Sequence, residues 1–272
     1  MKTGPSQQAG YDAAFVGALL DDALAHGRRV LAIAGLQGTG KSTLAAQLVA
    51  GARARGVAAE ALSIDDFYLG RRERLALGRR VHPLLATRGP PGTHDVALAC
   101  ATMDALLPMR DGNRVRVPVF DKIADRRLPP SRWRVVRRRP ALLVFEGWFL
   151  KVPPQDEAAL GPPLNALEAL EDADGGWRRH ANAALAAYAP LWARLPWLLF
   201  LRGPGFDVVR HWRWQQEQAL QAANPGRQAM SREQVERFVL FFERVSRQAL
   251  ASLPTVADRV IDLDAGRRLR QP

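Results

Sequence analysis

Cysteine is almost absent from this 272-residue chain: Cys100 has no second cysteine with which to pair, so a disulfide-stabilised scaffold is excluded. Long apolar runs are also lacking. The nearest one, at 140–150, is about half of the roughly 20 residues that a membrane-spanning helix needs, and it contains Glu146. Residues 1–10 are polar and lack the basic and then apolar pattern of a signal peptide. We therefore expect a soluble, cytoplasmic protein that does not enter a membrane.

Lysine is scarce although the chain is strongly basic. Four of the 39 basic residues are lysine and 35 are arginine, and the formal net charge is +12. Two arginine clusters stand out, one made of Arg71, Arg72, Arg74, Arg79 and Arg80 and the other of Arg132, Arg134, Arg137, Arg138 and Arg139. Such clusters bind nucleic acid or small anions, or form a solvated surface, and charge alone does not decide between these roles.

The remaining composition favours a folded α/β protein. Hydrophobic residues make up 47% of the chain, which is enough for a large core and excludes a disordered chain. Short apolar runs typical of buried strands lie at 29–34, 57–64, 141–145 and 197–201, and helical patterns alternate with them. This alternation predicts one domain over residues 1–272, with a mainly parallel sheet between two layers of helices.

A glycine-rich segment follows the first predicted strand. Residues 35–42 match the P-loop pattern, in which two glycines bracket four residues before lysine and serine. Glycines let successive backbone N–H groups turn inward towards phosphate oxygens, and the next helix adds the positive end of its dipole. Lys41 reaches the β- and γ-phosphates in such a loop, and the Ser42 hydroxyl binds Mg²⁺. The predicted nucleotide-binding residues are Gly35, Leu36, Gln37, Gly38, Thr39, Gly40, Lys41, Ser42 and Thr43.

Acidic residues end two other predicted strands. Asp65 and Asp66 follow the second strand, and Glu146 ends the third. Ligands of open α/β sheets bind beyond the carboxyl ends of the strands, where a carboxylate can orient a substrate hydroxyl or hold Mg²⁺. An aspartate in this place also serves as a helix cap or a turn residue. Two acidic strand ends beside a P-loop favour the functional interpretation.

Several strings resemble one family of kinases. They are the P-loop, LSIDDFYL at 62–69, HPLLATRGPPGTHD at 82–95, VPVFDKIADR at 117–126, FEGWF at 145–149, HWRWQQE at 211–217 and NPG at 224–226. Together they resemble the D-glycerate 3-kinases of plants and fungi and their bacterial relatives, within the group of uridine kinase, pantothenate kinase and phosphoribulokinase. The resemblance implies a P-loop fold with a helical lid at about 204–230 and substrate-side loops at about 67–95 and 121–139. Residues 1–28, a predicted helical extension, have no clear counterpart.

The resemblance also implies roles for individual residues. Asp65 stands where the group has its catalytic base, whereas Asp66 stands where relatives often have serine or glycine. Glu146 would join Ser42 as a magnesium or water ligand. His94 and Asp95 match the substrate-side loop. Three arginines complete the implied site: Arg88 and Arg126 would hold a substrate carboxylate, and Arg213, in the lid, would neutralise the transferring phosphoryl group as a catalytic residue beside Lys41 and Asp65.

The implied activity is transfer of the γ-phosphoryl group of ATP, with Mg²⁺, to a hydroxyl of a small anionic acceptor, D-glycerate first among them. A basic site suits two anionic substrates, and arginine offers a planar fork that matches carboxylate and phosphate. A kinase for another metabolite such as uridine or pantothenate is the first alternative. A nucleic-acid-binding ATP-dependent protein or polynucleotide kinase, suggested by the charge, and a nucleotide sensor without transfer activity are the others.

Overall fold

A five-stranded, fully parallel sheet organises the computed structural model, which describes residues 10–110, 112–224, 226 and 229–270. The strand order is β2-β7-β1-β8-β9. These strands are β1 (Val30–Gly35), β2 (Ala59–Ser63), β7 (Leu142–Gly147), β8 (Leu198–Arg202) and β9 (Arg259–Asp262). Four short strands form two antiparallel pairs outside the sheet: β3 (Val115–Val117) with β6 (Arg134–Val136), and β4 (Phe120–Asp121) with β5 (Arg126–Arg127).

The helices cover both faces of the sheet. They are α1 (Ala13–Ala25), α2 (Lys41–Ala54), α3 (Arg71–Arg80), α4 (Val96–Leu106), α5 (Glu157–Leu160), α6 (Ala166–Glu171), α7 (Gly176–Ala184), α8 (Ala189–Trp192), α9 (Val208–Ala223) and α10 (Arg232–Val256). Alternate residues of the central strands belong to two different apolar clusters. Leu142 and Val144 pack with α1 and α2, whereas Leu143 and Phe145 pack with α4 and α10. The predicted three-layer α/β/α fold is confirmed.

The two central strands are buried on both faces, as is usual in a parallel sheet. All six residues of β1 and all six of β7 are buried, because helices cover both faces of a parallel sheet. The strands predicted at 29–34, 141–145 and 197–201 correspond to β1, β7 and β8, and each predicted end differs from the observed one by one or two residues.

Three stretches differ from what the sequence pattern predicts, which is irregular chain at 67–94, one strand at 115–120 and a charged excursion from the fold at 121–139. The segment 67–94, expected to be irregular, contains α3, because Glu73 accepts the backbone N–H of Gly70 and closes the first turn. The single strand expected at 115–120 is split into β3 and β4 around Pro118, which has no N–H to donate. The charged stretch 121–139 includes β5, which pairs with β4, and β6, which pairs with β3. By contrast, the helical tract at 158–189, predicted with breaks at Pro162, Pro163 and Gly175-Gly176, is divided at these places into α5, α6, α7 and the start of α8, as predicted.

The sequence pattern predicts two helices near the C-terminus, at about 206–223 and 231–253, with Ser231 and Gln234 as a capping box, and they correspond to α9 and α10. Ser231 and Gln234 form the predicted capping box at the start of α10, in which each side chain accepts the other residue's backbone N–H. The predicted lid at 204–230 contains α9, although 225, 227 and 228 lie outside the described residues. Residues 1–9 of the predicted N-terminal extension also lie outside them. Within the described part of the chain, no helix has the length and apolar character needed to cross a membrane.

Phe145 offers a test of the packing between sheet and helices. Its ring is fully buried in β7 and stacks on Phe67 at a centroid distance of 6.3 Å. We expect Phe145→Ala to lower the free energy of unfolding by about 3–5 kcal/mol, because it leaves a cavity between β7 and α4. Leu170→Ala is the control, since Leu170 is 81% exposed and should change stability by less than about 0.5 kcal/mol. Urea unfolding of both variants measures the difference, and equal effects would contradict this packing.

Candidate active site

The P-loop connects β1 to α2 at the carboxyl edge of the sheet. Gly38 and Gly40 have positive φ values of 86° and 90°, a region that residues with a side chain rarely adopt. A Cβ atom on Gly38 would lie 2.5 Å from Cβ of Trp212, and one on Gly35 would lie 2.8 Å from the carbonyl oxygen of Leu201. Glycine is therefore required at Gly38 by both backbone conformation and close packing, at Gly35 by close packing and at Gly40 by backbone conformation.

Residues near both ends of the described chain donate hydrogen bonds to carbonyl oxygens of the P-loop. The hydroxyl of Tyr11 donates a hydrogen bond to the carbonyl oxygen of Thr39. Nε of Arg267 donates to the carbonyl oxygen of Gly38 at 2.6 Å, and its guanidinium lies over the ring of Trp212. The partners in these contacts are 28 and 229 residues apart in sequence, and no sequence motif predicts them.

Lys41 and Ser42 are positioned by the start of α2. Nζ of Lys41 donates to the carbonyl oxygen of Leu36 at 2.8 Å, so the side chain curls back over the loop. Burial lowers the pKa of Lys41, and the negative charges of Glu146 and Asp65 partly oppose this shift. Ser42 Oγ donates to Oε1 of Glu146 at 3.0 Å. The parallel register, in which Glu146 pairs with Ile33 of β1 and Ser63 of β2, brings these three strand ends together.

This arrangement fits a nucleotide and Mg²⁺. The glycines form a cradle that a Cβ atom would fill, and both polar atoms of the Gln37 side-chain amide are buried without a partner among the described protein atoms. Ser42 and Glu146 offer a hydroxyl and a carboxylate, the hard oxygen ligands that Mg²⁺ prefers. The P-loop backbone and Lys41 are suited to phosphate oxygens.

Asp65 lies in a 3-10 turn, Ile64–Phe67, directly after β2. Its Oδ1 accepts a hydrogen bond from the Tyr68 hydroxyl at 2.7 Å, and its Oδ2 accepts one from Lys122 Nζ at 2.6 Å. Burial by itself would raise the pKa of Asp65, but the charge and hydrogen bond of Lys122, with the Tyr68 hydroxyl, lower that pKa to about 2. The carboxylate is thus kept ionised at neutral pH.

Asp66 has a different environment. Its Oδ1 accepts the backbone N–H of Phe120 at 3.4 Å, which ties the turn to β4. Burial raises the pKa of Asp66 to about 6, against the opposing effects of the Phe120 N–H and Lys122. Two neighbouring carboxyl groups therefore differ by several pH units in acidity. A role for Asp66 in holding the turn agrees with the sequence-based preference for Asp65 as the base.

His94 is joined to the Asp65 turn by backbone hydrogen bonds. The N–H of Leu69 donates to the carbonyl oxygen of Thr93 at 2.9 Å, and the N–H of Asp95 donates to the carbonyl oxygen of Phe67 at 2.7 Å. The His94 ring lies 4.6 Å from the Tyr68 ring, and its Nδ1 is 2.8 Å from the Tyr188 hydroxyl. Burial lowers the pKa of His94 to about 3, and the opposing charge of Asp65 is smaller in effect. The imidazole is therefore neutral.

Arg88 and Arg74 share one carboxylate. Nη1 of Arg88 donates to Oδ1 of Asp125 at 2.6 Å, while Arg74 binds Oδ2 of the same group. Asp125 has a φ of 50°, an uncommon conformation for a residue with a side chain, and lies in the turn between β4 and β5. Arg74 is completely buried, so one member of the first arginine cluster is not part of a solvated surface. Two positively charged guanidiniums thus share one carboxylate, so these three side chains together have a net charge of +1.

Asp95 and the arginines of β5 complete this side of the site. Asp95 caps α4 by accepting the N–H of Leu98 at 3.0 Å, and its Oδ2 is 3.1 Å from Nη2 of Arg127. Arg127 also donates to the carbonyl oxygen of Tyr68 at 2.9 Å. Arg126, singled out from the sequence, is exposed on the same strand. Because neighbouring residues of a strand point to opposite sides, Arg127 faces the Asp65 turn, and a role for Arg126 stays a prediction.

Arg213 lies on α9, in the predicted lid. Its Nη2 is 3.3 Å from Oε2 of the buried Glu217, and its guanidinium lies 5.7 Å from the ring centroid of Phe238 in α10. These contacts place the guanidinium between the two helices. Its predicted role at the phosphoryl group stays a prediction.

Comparison with known proteins adds the family. No family model matches the chain. A protein of Schizosaccharomyces pombe described as uncharacterized kinase mug58 is 32% identical over 220 residues, which are 77% of this chain and 76% of that protein. The chain belongs to this kinase family. It is a phosphotransferase with a P-loop fold, and the resemblance stated from the motifs is confirmed.

Solved structures show the same fold as this kinase. D-glycerate 3-kinase from Cryptococcus neoformans var. grubii has a TM-score of 0.81 at 23% identity, with 96% of this chain and 99% of that chain covered. The YGR205w protein has a TM-score of 0.70 at 23% identity, with 95% and 94% covered. At this identity the likeness concerns the fold, which extends over nearly the whole kinase.

Four residues that the motifs of the kinase do not single out contact Asp65 or its neighbours: Tyr68, Lys122, Arg127 and Tyr188. Lys122 carried a usable signal, since it is one of only four lysines and lies in the VPVFDKIADR string. Tyr68 follows Asp65 by three residues, which is the spacing of one helical turn. Tyr188 lies 94 residues from His94, and no local pattern connects them.

Gly38 tests the P-loop packing of the kinase. Gly38→Ala would place a methyl group against Trp212, so we expect ATP affinity to fall at least about tenfold, equivalent to roughly 1.4 kcal/mol. Gly56→Ala is a matched control, because Gly56 also has a positive φ, of 75°, but a Cβ atom there meets nothing within 4 Å. Calorimetric titration with ATP measures both, and equal losses would show that backbone strain rather than the Trp212 contact is responsible.

Asp66 predicts a pH dependence of stability. Its pKa is raised from 3.8 to about 6 in the folded kinase, so the folded state binds a proton there more tightly than the unfolded state. Its contribution to stability is complete below about pH 4 and is lost as pH rises through about 6. We expect the unfolding free energy of wild type relative to Asp66→Asn to fall over this interval. Urea unfolding across pH 4–8 measures it, and a flat difference would contradict the assignment.

Proposed function

We propose that this kinase transfers the γ-phosphoryl group of Mg²⁺-ATP to a hydroxyl of a small carboxylate, D-glycerate, as a cytoplasmic enzyme. The observation that carries the proposal is the ionised Asp65 carboxylate close to Lys41 of the P-loop, with further cationic side chains around it. Lys122 binds Asp65 itself, Arg127 binds the carbonyl oxygen of Tyr68, and Arg88 binds Asp125 in the turn that carries Lys122. A hydroxyl acceptor needs the carboxylate, and an anionic acceptor suits the cations.

The nucleotide side is assigned to the P-loop. Backbone N–H groups of residues 35–43 and the Lys41 ammonium would hold the phosphates. Ser42 and Glu146, already 3.0 Å apart, would hold Mg²⁺ directly or through water. When bound, the metal ion supplies charge neutralisation at the phosphate oxygens. Lys41 keeps its position through its bond to Leu36 until phosphate replaces that carbonyl.

Asp65 would orient the acceptor hydroxyl and take its proton. Phosphoryl transfer passes through a loose transition state, so the positioning of the hydroxyl matters as much as the basicity of the carboxylate. The buried Tyr68 hydroxyl fixes Oδ1, so Oδ2, which Lys122 binds in this structure, is the oxygen that would face the acceptor. The low pKa of Asp65 ensures that it is ionised when the acceptor arrives.

The acceptor side would use the charge that Asp125 leaves unbalanced. Arg88 can offer its guanidinium to a carboxylate while Arg74 continues to bind Asp125. His94, Asp95 and Arg126 keep their predicted roles near the acceptor, and Arg127 is the arginine of β5 that the geometry favours. D-glycerate is chosen because the structural neighbour with a TM-score of 0.81 is a D-glycerate 3-kinase.

Asp65→Ala tests the proposal directly. We expect its turnover number to fall about 10²- to 10⁴-fold, because no other group holds the hydroxyl, whereas ATP affinity should barely change. Asp104→Ala is the control, since Asp104 lies on α4 in an exposed ion pair with Arg194. Coupled ADP release is measured with D-glycerate, L-glycerate, pantothenate and uridine, with Lys41→Ala as the blank.

The outcomes separate the substrate from the mechanism. Turnover with D-glycerate that disappears in Asp65→Ala supports both parts of the proposal. Turnover with uridine alone would overturn the anionic acceptor, and full activity of Asp65→Ala would remove Asp65 from the mechanism.

A further inference from the structure

Both carboxylate oxygens of Asp65 are occupied by donors. Tyr68 donates to Oδ1 at 2.7 Å and Lys122 to Oδ2 at 2.6 Å. A carboxylate held on one oxygen by an ammonium is a poor acceptor for a hydroxyl proton, because the cation stabilises its ionised form. Each oxygen can still accept a second hydrogen bond, so what departure of the Lys122 ammonium would change is the basicity of Asp65 towards the acceptor hydroxyl.

Burial distinguishes the two donors. Tyr68 is only 4% exposed and packs against the rings of His94 and Phe120. The side chain of Lys122 is 58% exposed and extends from the turn between β4 and β5. Asp121 holds the backbone of that turn by accepting the N–H groups of Ile123 and Ala124. The Lys122 side chain can therefore change partner while its backbone stays in place.

The other cations near Asp65 are engaged more firmly. Arg74 and Arg88 bind Asp125 in the same turn, and Arg127 binds Asp95 at the start of α4. Lys41 is buried over the P-loop. Lys122 differs from all of these, since its ammonium binds the proposed base itself and is open to solvent.

We propose that Lys122 binds the carboxylate of the acceptor and that, by moving from Asp65 to this carboxylate, it frees Asp65 to act on the hydroxyl. The inference rests on the proposed function, because it needs an anionic acceptor. A carboxylate on the acceptor then serves two purposes. It contributes binding energy, and it removes the cation that would otherwise weaken the base.

The step is balanced without any further reactant. The acceptor O–H bond breaks and its proton goes to Oδ2 of Asp65. The acceptor oxygen forms a bond to the γ-phosphorus, and the bond from that phosphorus to the bridging oxygen breaks with its electron pair left on ADP. Lys122 remains protonated throughout as the counter-ion of the acceptor carboxylate.

The exchange makes the kinase selective between charged and neutral acceptors. Glycerol has the hydroxyls of glycerate but no carboxylate, so it cannot draw Lys122 away from Asp65. The discrimination should be about 10- to 100-fold, the range expected for one hydrogen bond between charged groups. Arg88 could bind a carboxylate as well, but only Lys122 couples that binding to the state of Asp65.

The test uses the full-length kinase with Lys122→Met and Lys122→Arg. Arg55→Met is the matched control, because it removes one positive charge from an exposed ion pair, with Asp21, at the end of α2 opposite the P-loop. The kcat/KM ratio of D-glycerate to glycerol is measured for each protein, and D-glycerate binding is titrated beside a non-hydrolysable ATP analogue. We expect the ratio to fall about 10- to 100-fold in Lys122→Met, to recover largely in Lys122→Arg and to stay unchanged in Arg55→Met.

A pH profile separates this role from a merely structural one. Lys41, Glu146, Asp66, Tyr68 and His94 also face Asp65, and none of them is altered. Without Lys122, burial is the main influence on Asp65, so its pKa rises and the acidic limb of kcat/KM moves to higher pH. A structural effect would lower the whole profile without moving that limb.

Failure of this inference is distinguishable from failure of the proposed function. An unchanged acceptor ratio in Lys122→Met would overturn the inference while turnover of D-glycerate leaves the function standing. If wild type accepts another hydroxy acid, the same ratio is measured with its uncharged analogue. If wild type accepts only neutral acceptors, or does not bind D-glycerate beside the ATP analogue, both the function and the inference are wrong.

Discussion

The parallel pairing of β1 with β7 and β8 is the constraint on which the site depends. Parallel strands end at one edge of the sheet, so the P-loop after β1 and Glu146 at the end of β7 must meet there, and β2 adds Asp65 from the other side of β7. The 3.0 Å contact between Ser42 and Glu146 follows from this register. A shift of β7 by one residue would turn Glu146 to the other face of the sheet and separate the two.

Charge pairing is the second level of organisation. Around Asp65, lysine and arginine side chains form ion pairs with carboxylates, and the two partners of a pair come from segments that are far apart in sequence. Lys122 is 57 residues from Asp65, and Asp125 is 51 residues from Arg74. The first pair holds the turn between β4 and β5 against the 3-10 turn after β2, and the second holds it against α3. Arg74 and Arg88 share the single carboxylate of Asp125, which leaves one positive charge there, and the net charge of the chain alone could not indicate this.

Sequence patterns predicted what is locally encoded. The P-loop, the buried strands and the acidic strand ends each depend on a few neighbouring residues, and the structure has them in the expected places. The helix α3 was missed because its arginine-rich sequence has almost no apolar periodicity; its first turn is closed by Glu73 instead. Arg126 was singled out because it ends the VPVFDKIADR string, and this string does not reveal that the neighbouring Arg127 binds the Asp65 turn from β5. The Arg267 contact with Gly38 spans 229 residues, and no local rule predicts it.

The most direct test of the central claim is to follow phosphorus in the reaction itself. Phosphorus-31 NMR of the kinase with Mg²⁺-ATP and D-glycerate distinguishes a phosphate ester from free phosphate. We predict that the γ-phosphate signal is replaced by a phosphomonoester in an amount equal to the ADP formed. Release of inorganic phosphate in place of that ester, or no loss of ATP when D-glycerate is added, would contradict a site built to transfer a phosphoryl group to a small hydroxy acid.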